Sequence, residues 1–212
     1  MKIKILIIDG HMMVAEAFAA LLRDYEVTTA SNKADALKVL GETRFDFVLV
    51  NIHINPQENG LSLIKRILFH HAKPIMLNGC VNIGQVRASI LLGAYGYVNQ
   101  ELPITHLYEV LNEVINEKFS FPKGMLDELR QNQQLAIPRL AKSERRLLNY
   151  FLMHREQTNF EIGDNMALSE GRIRNCMTSL MRKFDVKGRA NLAKEAELRG
   201  YYPDEDIANS TK

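Results

Sequence analysis

The strongest constraint on the fold is a run that does not alternate. Ile5-Leu6-Ile7-Ile8 is apolar at every position. A strand with one wet face alternates polar and apolar side chains, so an unbroken run marks a strand covered on both faces, as in parallel sheets. Short apolar runs of this kind recur between helical patterns over the first 120 residues. Residues 12–23 follow, with Val14, Ala17, Phe18, Leu21 and Leu22 expected on one helical face. Glu26 to Thr29 reads as a strand, and Asn32 caps a helix over 33–41. Phe47 to Val50 is a strand, 61–69 a helix, 74–77 a strand, 83–92 a helix and Tyr97-Val98 a last short strand. Pro103 opens a helix carrying Leu107, Val110, Leu111, Val114 and Ile115.

Five strands alternating with five helices specify an α/β domain with a doubly wound, five-stranded parallel sheet. Functional groups of such sheets gather at the carboxyl ends of the strands. Here those ends carry Asp9-Gly10, Asn51, Asn78 and Asn99-Gln100. The first domain is set at 1–119. Residues 120–138 read as a linker, with Leu126 and Leu129 able to support a short helix and a polar run from Arg130 to Gln134.

From 139 to 202 the strand signal ends and a second, smaller all-α domain is expected. Ser143 is read as the cap of a helix ending near His154, with Leu147, Leu148, Phe151 and Leu152 buried. Helices at 158–166, at 170–183 capped by Ser169, and at 189–199 ending at Gly200 complete it. Residues 203–212 read as a flexible, acidic tail.

Charge separates the two parts. Residues 1–123 hold 12 Lys/Arg against 12 Asp/Glu, whereas 139–202 hold 13 against 8. A neutral module joined to a basic one suggests a regulatory unit on a polyanion binder. Two short helices joined by a tight turn, the second rich in arginine, form a helix-turn-helix, whose second helix enters the major groove. Arg174 matches guanine by two parallel hydrogen bonds, and Asn175 suits adenine or phosphate. Thr178 lies one turn on, Ser169 and Arg172 at the start of the helix are further DNA-binding candidates, and Lys183, Lys187 and Arg189 after it supply positive charge for phosphates.

The two cysteines, Cys80 and Cys176, have no metal-ligand spacing, and no apolar run approaches the roughly 20 residues that span a bilayer. A cytoplasmic protein with no membrane contact is therefore expected. No carboxylate pair, triad or metal cluster converges, so neither cofactor, metal nor enzymatic activity is expected.

Residues 140–200 resemble the DNA-binding domain of the LuxR/NarL/GerE family. The likeness rests on LAKSER at 140–145, FEIG at 160–163 and LSEGRIRNCMTSLMRKFDVKGRANL at 168–192. It implies base contacts from Arg174, Asn175 and Thr178. Gly171 and Arg172 stand where the family has Lys-Thr, and Cys176 where it has His. Residues 3–117 resemble the receiver of NarL-type response regulators through IKILIIDGH at 3–11, FDFVLVNI at 45–52 and LLGAYGYV at 91–98. That family needs paired carboxylates, an acceptor aspartate, a Ser/Thr and a Lys. The matching positions here are Asp9, Gly10, Asn51, Asn78 and Gln100, so only Asp9 keeps the family chemistry.

The resemblance thus implies a phosphorylation pocket that has lost its function, in which Asn51, Asn78 and Gln100 hydrogen-bond across the gap. His53 reads as an ordinary residue of a loop one position longer than the family's. The expected function is a phosphorylation-independent transcription regulator that binds pseudo-palindromic promoter DNA as a homodimer. By resemblance, the fourth receiver helix and the last helices of both domains are the dimer surfaces. The alternatives are a regulator gated by a small molecule in the emptied pocket, and a partner that pairs with another response regulator.

Overall fold

A computed structural model describes residues 2–79, 81–127 and 136–203. The chain divides into two compact units, Met1–Glu128 and Leu129–Lys212.

The first unit is a five-stranded parallel sheet flanked by helices. Its strands are β1 (Lys4–Ile8), β2 (Glu26–Ala30), β3 (Phe47–Asn51), β6 (Lys73–Asn78) and β7 (Gly96–Asn99), in the order β2-β1-β3-β6-β7. The helices are α1 (Met12–Leu21), α2 (Lys33–Glu42), α3 (Ile64–Phe69), α4 (Ile83–Leu92) and α5 (Thr105–Ile115). The non-alternating runs behave as expected: Ile5 to Ile8 and Phe47 to Val50 are buried on both faces. Ile8 pairs with Val50, Asn51 with Leu77, and Asn78 with Asn99, so the polar strand ends line one edge of the sheet.

Three local expectations need correction. On α1 the buried face is Ala15 and Leu22, with Phe18 and Ala19 half-buried, while Val14, Ala17 and Leu21 are exposed. Glu16 is the one charged residue in MMVAEAFAAL, so apolar spacing cannot choose a side and the packing partner does. The segment after Asn51 is not a loop but an antiparallel hairpin of β4 (His53–Asn55) and β5 (Glu58–Asn59), and His53 lies on a strand. Asn55 builds its turn, the side-chain oxygen accepting from the N–H groups of Gln57 and Glu58. The first unit also continues past 119. Ser120 bridges Gly96 beside β7, Phe119 stacks on Tyr95 and Met125 is buried. Within the expected linker, Leu129 and the Arg130 to Gln134 run lie outside the described residues, as do Cys80 and all of the tail after Pro203.

The second unit contains α6 (Lys142–Met153), α7 (Asn159–Met166), α8 (Glu170–Lys183) and α9 (Arg189–Leu198). Its core joins Leu147, Leu148, Phe151, Ile162, Ile173, Met177, Leu180, Phe184 and Leu192. Ala141, not Ser143, holds the cap position of α6, because Glu144 folds back to accept from the Ala141 N–H at 2.7 Å. Thr158 and Glu161 form a reciprocal capping box on α7. Ala167 takes a left-handed conformation, and the Leu168 N–H returns to the Gly163 carbonyl, giving the tight turn into α8. Ser169 caps α8 by accepting from the Arg172 N–H. No helix among the described residues is long and apolar enough to cross a membrane.

Candidate functional site

At the carboxyl edge of the sheet, Asp9 is fully buried just beyond β1. One carboxylate oxygen accepts from the His11 N–H at 2.8 Å and lies 3.2 Å from His11 Nδ1. The other accepts from the Asn51 side-chain amide at 2.8 Å. The Asn51 oxygen in turn accepts from the His53 N–H at 3.0 Å. Both carboxylate oxygens therefore have donors, which is what a buried charge requires.

Gly10 is fixed by sterics rather than by backbone freedom. A Cβ at this position would lie 1.9 Å from the Ile54 carbonyl oxygen, and Ile54 is fully buried. The hairpin backbone thus fills the space that a side chain at position 10 would need. Asn78 belongs to a second cluster, its amide nitrogen donating to Gln85 Oε1 at 2.7 Å and to the Tyr97 hydroxyl at 3.0 Å. Gln100 is half-buried and joins through its backbone N–H, donated to the Asn78 carbonyl. The pocket residues are thus brought to one edge, where Asp9 pairs with Asn51 and Asn78 with Gln85 and Tyr97, and His53 touches both groups, through its N–H to Asn51 and its ring to Gln85.

On the helical unit, Gly171, Arg174, Asn175 and Thr178 share one exposed face of α8. Arg174 pairs with Glu170 at 2.5 Å, and the Thr178 hydroxyl donates to the Arg174 carbonyl. Arg172 is exposed about a quarter-turn away from that face. Lys187 is exposed beyond the helix.

Two of the expected phosphate-facing cations are engaged inside the unit. Lys183 Nζ lies 2.5 Å from Glu144 Oε2 and 3.1 Å from the Arg139 carbonyl. Arg189 donates to the Gln157 carbonyl, and its guanidinium sits 4.9 Å over the Phe151 ring. Burial lowers the Arg189 pKa. Arg182, which the sequence reading passed over, is exposed and falls on the Gly171–Asn175–Thr178 face. Its spacing of four, seven and eleven residues from Thr178, Asn175 and Gly171 was the available signal.

Glu144 ties α6 to α8. Burial favours its neutral form, but the Lys183 ammonium, the Ala141 N–H and the Ser179 hydroxyl outweigh burial and hold its pKa below the ordinary 4.5. A depressed folded-state pKa gives stability that is present above the ordinary carboxylate range and lost as pH falls through the lowered value. The thermal midpoint of the helical unit is expected to fall in acid, and Glu144→Gln to flatten that dependence. An unchanged acid profile in the variant would contradict this assignment.

The sequence model of the response regulator receiver domain matches residues 5–112. The chain belongs to the response regulator receiver domain family. Among its relatives, transcriptional regulatory protein LiaR of Bacillus subtilis is 26% identical over 204 residues, covering 90% of this chain and 95% of LiaR. Transcriptional regulatory protein ComA of the same organism is 25% identical over 213 residues, covering 93% and 98%. The structure of RcsB from Salmonella enterica serovar Typhimurium bound to promoter P1flhDC matches with a TM-score of 0.60 and 19% identity, covering 93% of this chain and 99% of RcsB. At that identity the likeness establishes the fold.

Proposed function

We propose that this protein is a DNA-binding transcription regulator that acts without phosphorylation and binds promoter DNA as a homodimer through its receiver-like unit. The observation that carries the reading is Asn51. It sits at the carboxyl end of β3, where the family acceptor aspartate belongs, and its amide is already bonded to Asp9. No carboxylate nucleophile stands at that position, and the Ile54 carbonyl takes the space beside Gly10. With the Asp9 charge satisfied by protein donors, the pocket has no need of a cation.

The output side is carried by the exposed Arg174–Asn175–Thr178 face of α8, extended by Arg182. The acidic start and basic end of α8 complement its dipole. LiaR and ComA are transcriptional regulatory proteins, and RcsB is described on promoter DNA, including as two dimers on parallel DNAs.

The dimer face we favour is α1 rather than α4. Met12, Met13, Val14 and Leu21 are exposed there, Met13 at 84%. Exposed Ala17 and Ala20 allow a second helix to approach closely, and Glu16 is the one charge on the helix. Tyr108 of α5 donates to the Leu21 carbonyl and so extends the patch. A nearly uncharged, self-complementary face suits an isologous contact with a second copy.

Sedimentation of the purified protein with a pseudo-palindromic promoter fragment is expected to show two copies per site with no phosphodonor present. Ala17→Asp is expected to yield monomers that bind at least tenfold more weakly. Dimers that survive Ala17→Asp would move the interface elsewhere, and absence of DNA binding would overturn the reading itself.

A further inference from the structure

The β4–β5 hairpin does more than fill space. It is anchored at three separate places along the sheet edge. The Ile54 carbonyl seats against Gly10. The Glu58 carboxylate accepts from the Lys33 N–H at the start of α2, at 3.0 Å, and from the Asn55 amide at 2.7 Å. The His53 ring reaches α4, where its Nε2 lies 3.1 Å from Gln85 Nε2.

The third anchor has a direction. Asn78 uses its amide nitrogen to donate to both Gln85 Oε1 and the Tyr97 hydroxyl, while its oxygen accepts from the Gly79 N–H. Gln85 therefore has its oxygen committed to Asn78 and its nitrogen turned toward His53. A Gln85 N–H needs an acceptor, and His53 Nε2 serves as one in the ring form whose Nε2 lone pair is free. A single ordered chain then runs from exposed His53 through Gln85 and Asn78 to Tyr97, which is 1% exposed on β7. Reversing Gln85 alone sets donor against donor at Asn78, and reversing Asn78 alone sets acceptor against acceptor at Gln85, so the members of the chain hold or yield together.

We infer that the β4–β5 hairpin serves as an intramolecular ligand of the sheet edge, holding α4 and the buried ring of Tyr97 in one arrangement through His53, Gln85 and Asn78. In a pocket without an acceptor carboxylate, this internal segment takes the place of an external one in setting the α4–β7 surface. The inference rests on the proposed reading of the receiver-like unit as phosphorylation-independent. Its test is made on the dynamics of that unit, so its failure is separable from failure of DNA binding.

The experiment uses the full chain and His53→Ala, which truncates an exposed side chain and leaves the core intact. Ring-labelled tyrosine spectra, with the Tyr97 signal assigned from Tyr97→Phe, report the buried ring, and amide hydrogen exchange reports α4 and β7. We expect His53→Ala to move the Tyr97 signal and to speed exchange in α4 and β7 at least tenfold. Gln85→Leu is expected to do the same, and the double variant to add little. A Tyr97 signal and exchange rates unchanged in His53→Ala would overturn the inference. So would effects of the two single variants that simply add.

Discussion

Replacing Arg174 with alanine is expected to lower affinity for cognate DNA roughly ten- to a hundredfold, the equivalent of about 1–3 kcal/mol for one bidentate base contact. The guanidinium is well exposed on the second turn of α8, and its ion pair with Glu170 holds it toward the helix N-terminus. That end of a recognition helix meets base edges. Arg182→Ala should behave differently. A phosphate contact carries no sequence information, so its loss weakens cognate and random DNA alike and reduces the salt slope by about one. Lys183→Ala should act mainly on stability, because it leaves Glu144 buried beside an empty place. Fluorescence anisotropy at several salt concentrations, on cognate and scrambled duplexes, separates the three behaviours. Equal losses on both duplexes for Arg174→Ala would remove it from base readout.

The second large effect is expected at Gly10. A methyl group there meets backbone, not a flexible side chain, at 1.9 Å, so the hairpin must move or the strand end must distort. Gly10→Ala is expected to cost roughly 3 kcal/mol or more, in the range of severe overpacking. Gly10→Asp should cost at least as much, since it adds a second carboxylate beside buried Asp9. Neither loss should be recovered by millimolar Mg²⁺, because the clash is with the Ile54 backbone carbonyl, which a cation does not relieve. Urea titration of both variants with and without Mg²⁺ measures this. Near wild-type stability of Gly10→Ala, or recovery of Gly10→Asp by Mg²⁺, would contradict the packing described for the hairpin.

The legible and illegible parts of this fold divide along physical lines. The strands were readable because each buried run, such as Ile5 to Ile8, stops at a polar residue that marks the sheet edge. The cap of α2 was equally plain, and Asn32 accepts from the Asp35 N–H as its type predicts. The face of α1 was not readable, since a helix apolar nearly all round has no preferred stripe, and only the sheet beneath selects Ala15 and Leu22. The hairpin was hidden because its turn depends on Asn55 bonding its own backbone neighbours, which leaves no hydrophobic period. At the helical unit, position along the sequence correctly placed Arg174, Asn175 and Thr178 on one exposed face. It did not reveal the internal contacts of Lys183 and Arg189, whose partners Glu144 and Phe151 lie 39 and 38 residues away and are known only from packing. A basic residue near a recognition helix is therefore ambiguous until its helical phase and its distant neighbours are both known.

Independence of DNA binding from phosphorylation can be read by titrating wild-type protein into labelled promoter DNA with and without a small phosphodonor and Mg²⁺, with intact mass recorded on the same samples. Superimposable binding curves and no phosphorylated species are expected. A phosphoryl adduct on the first unit, accompanied by a tenfold or greater gain in affinity, would contradict that independence.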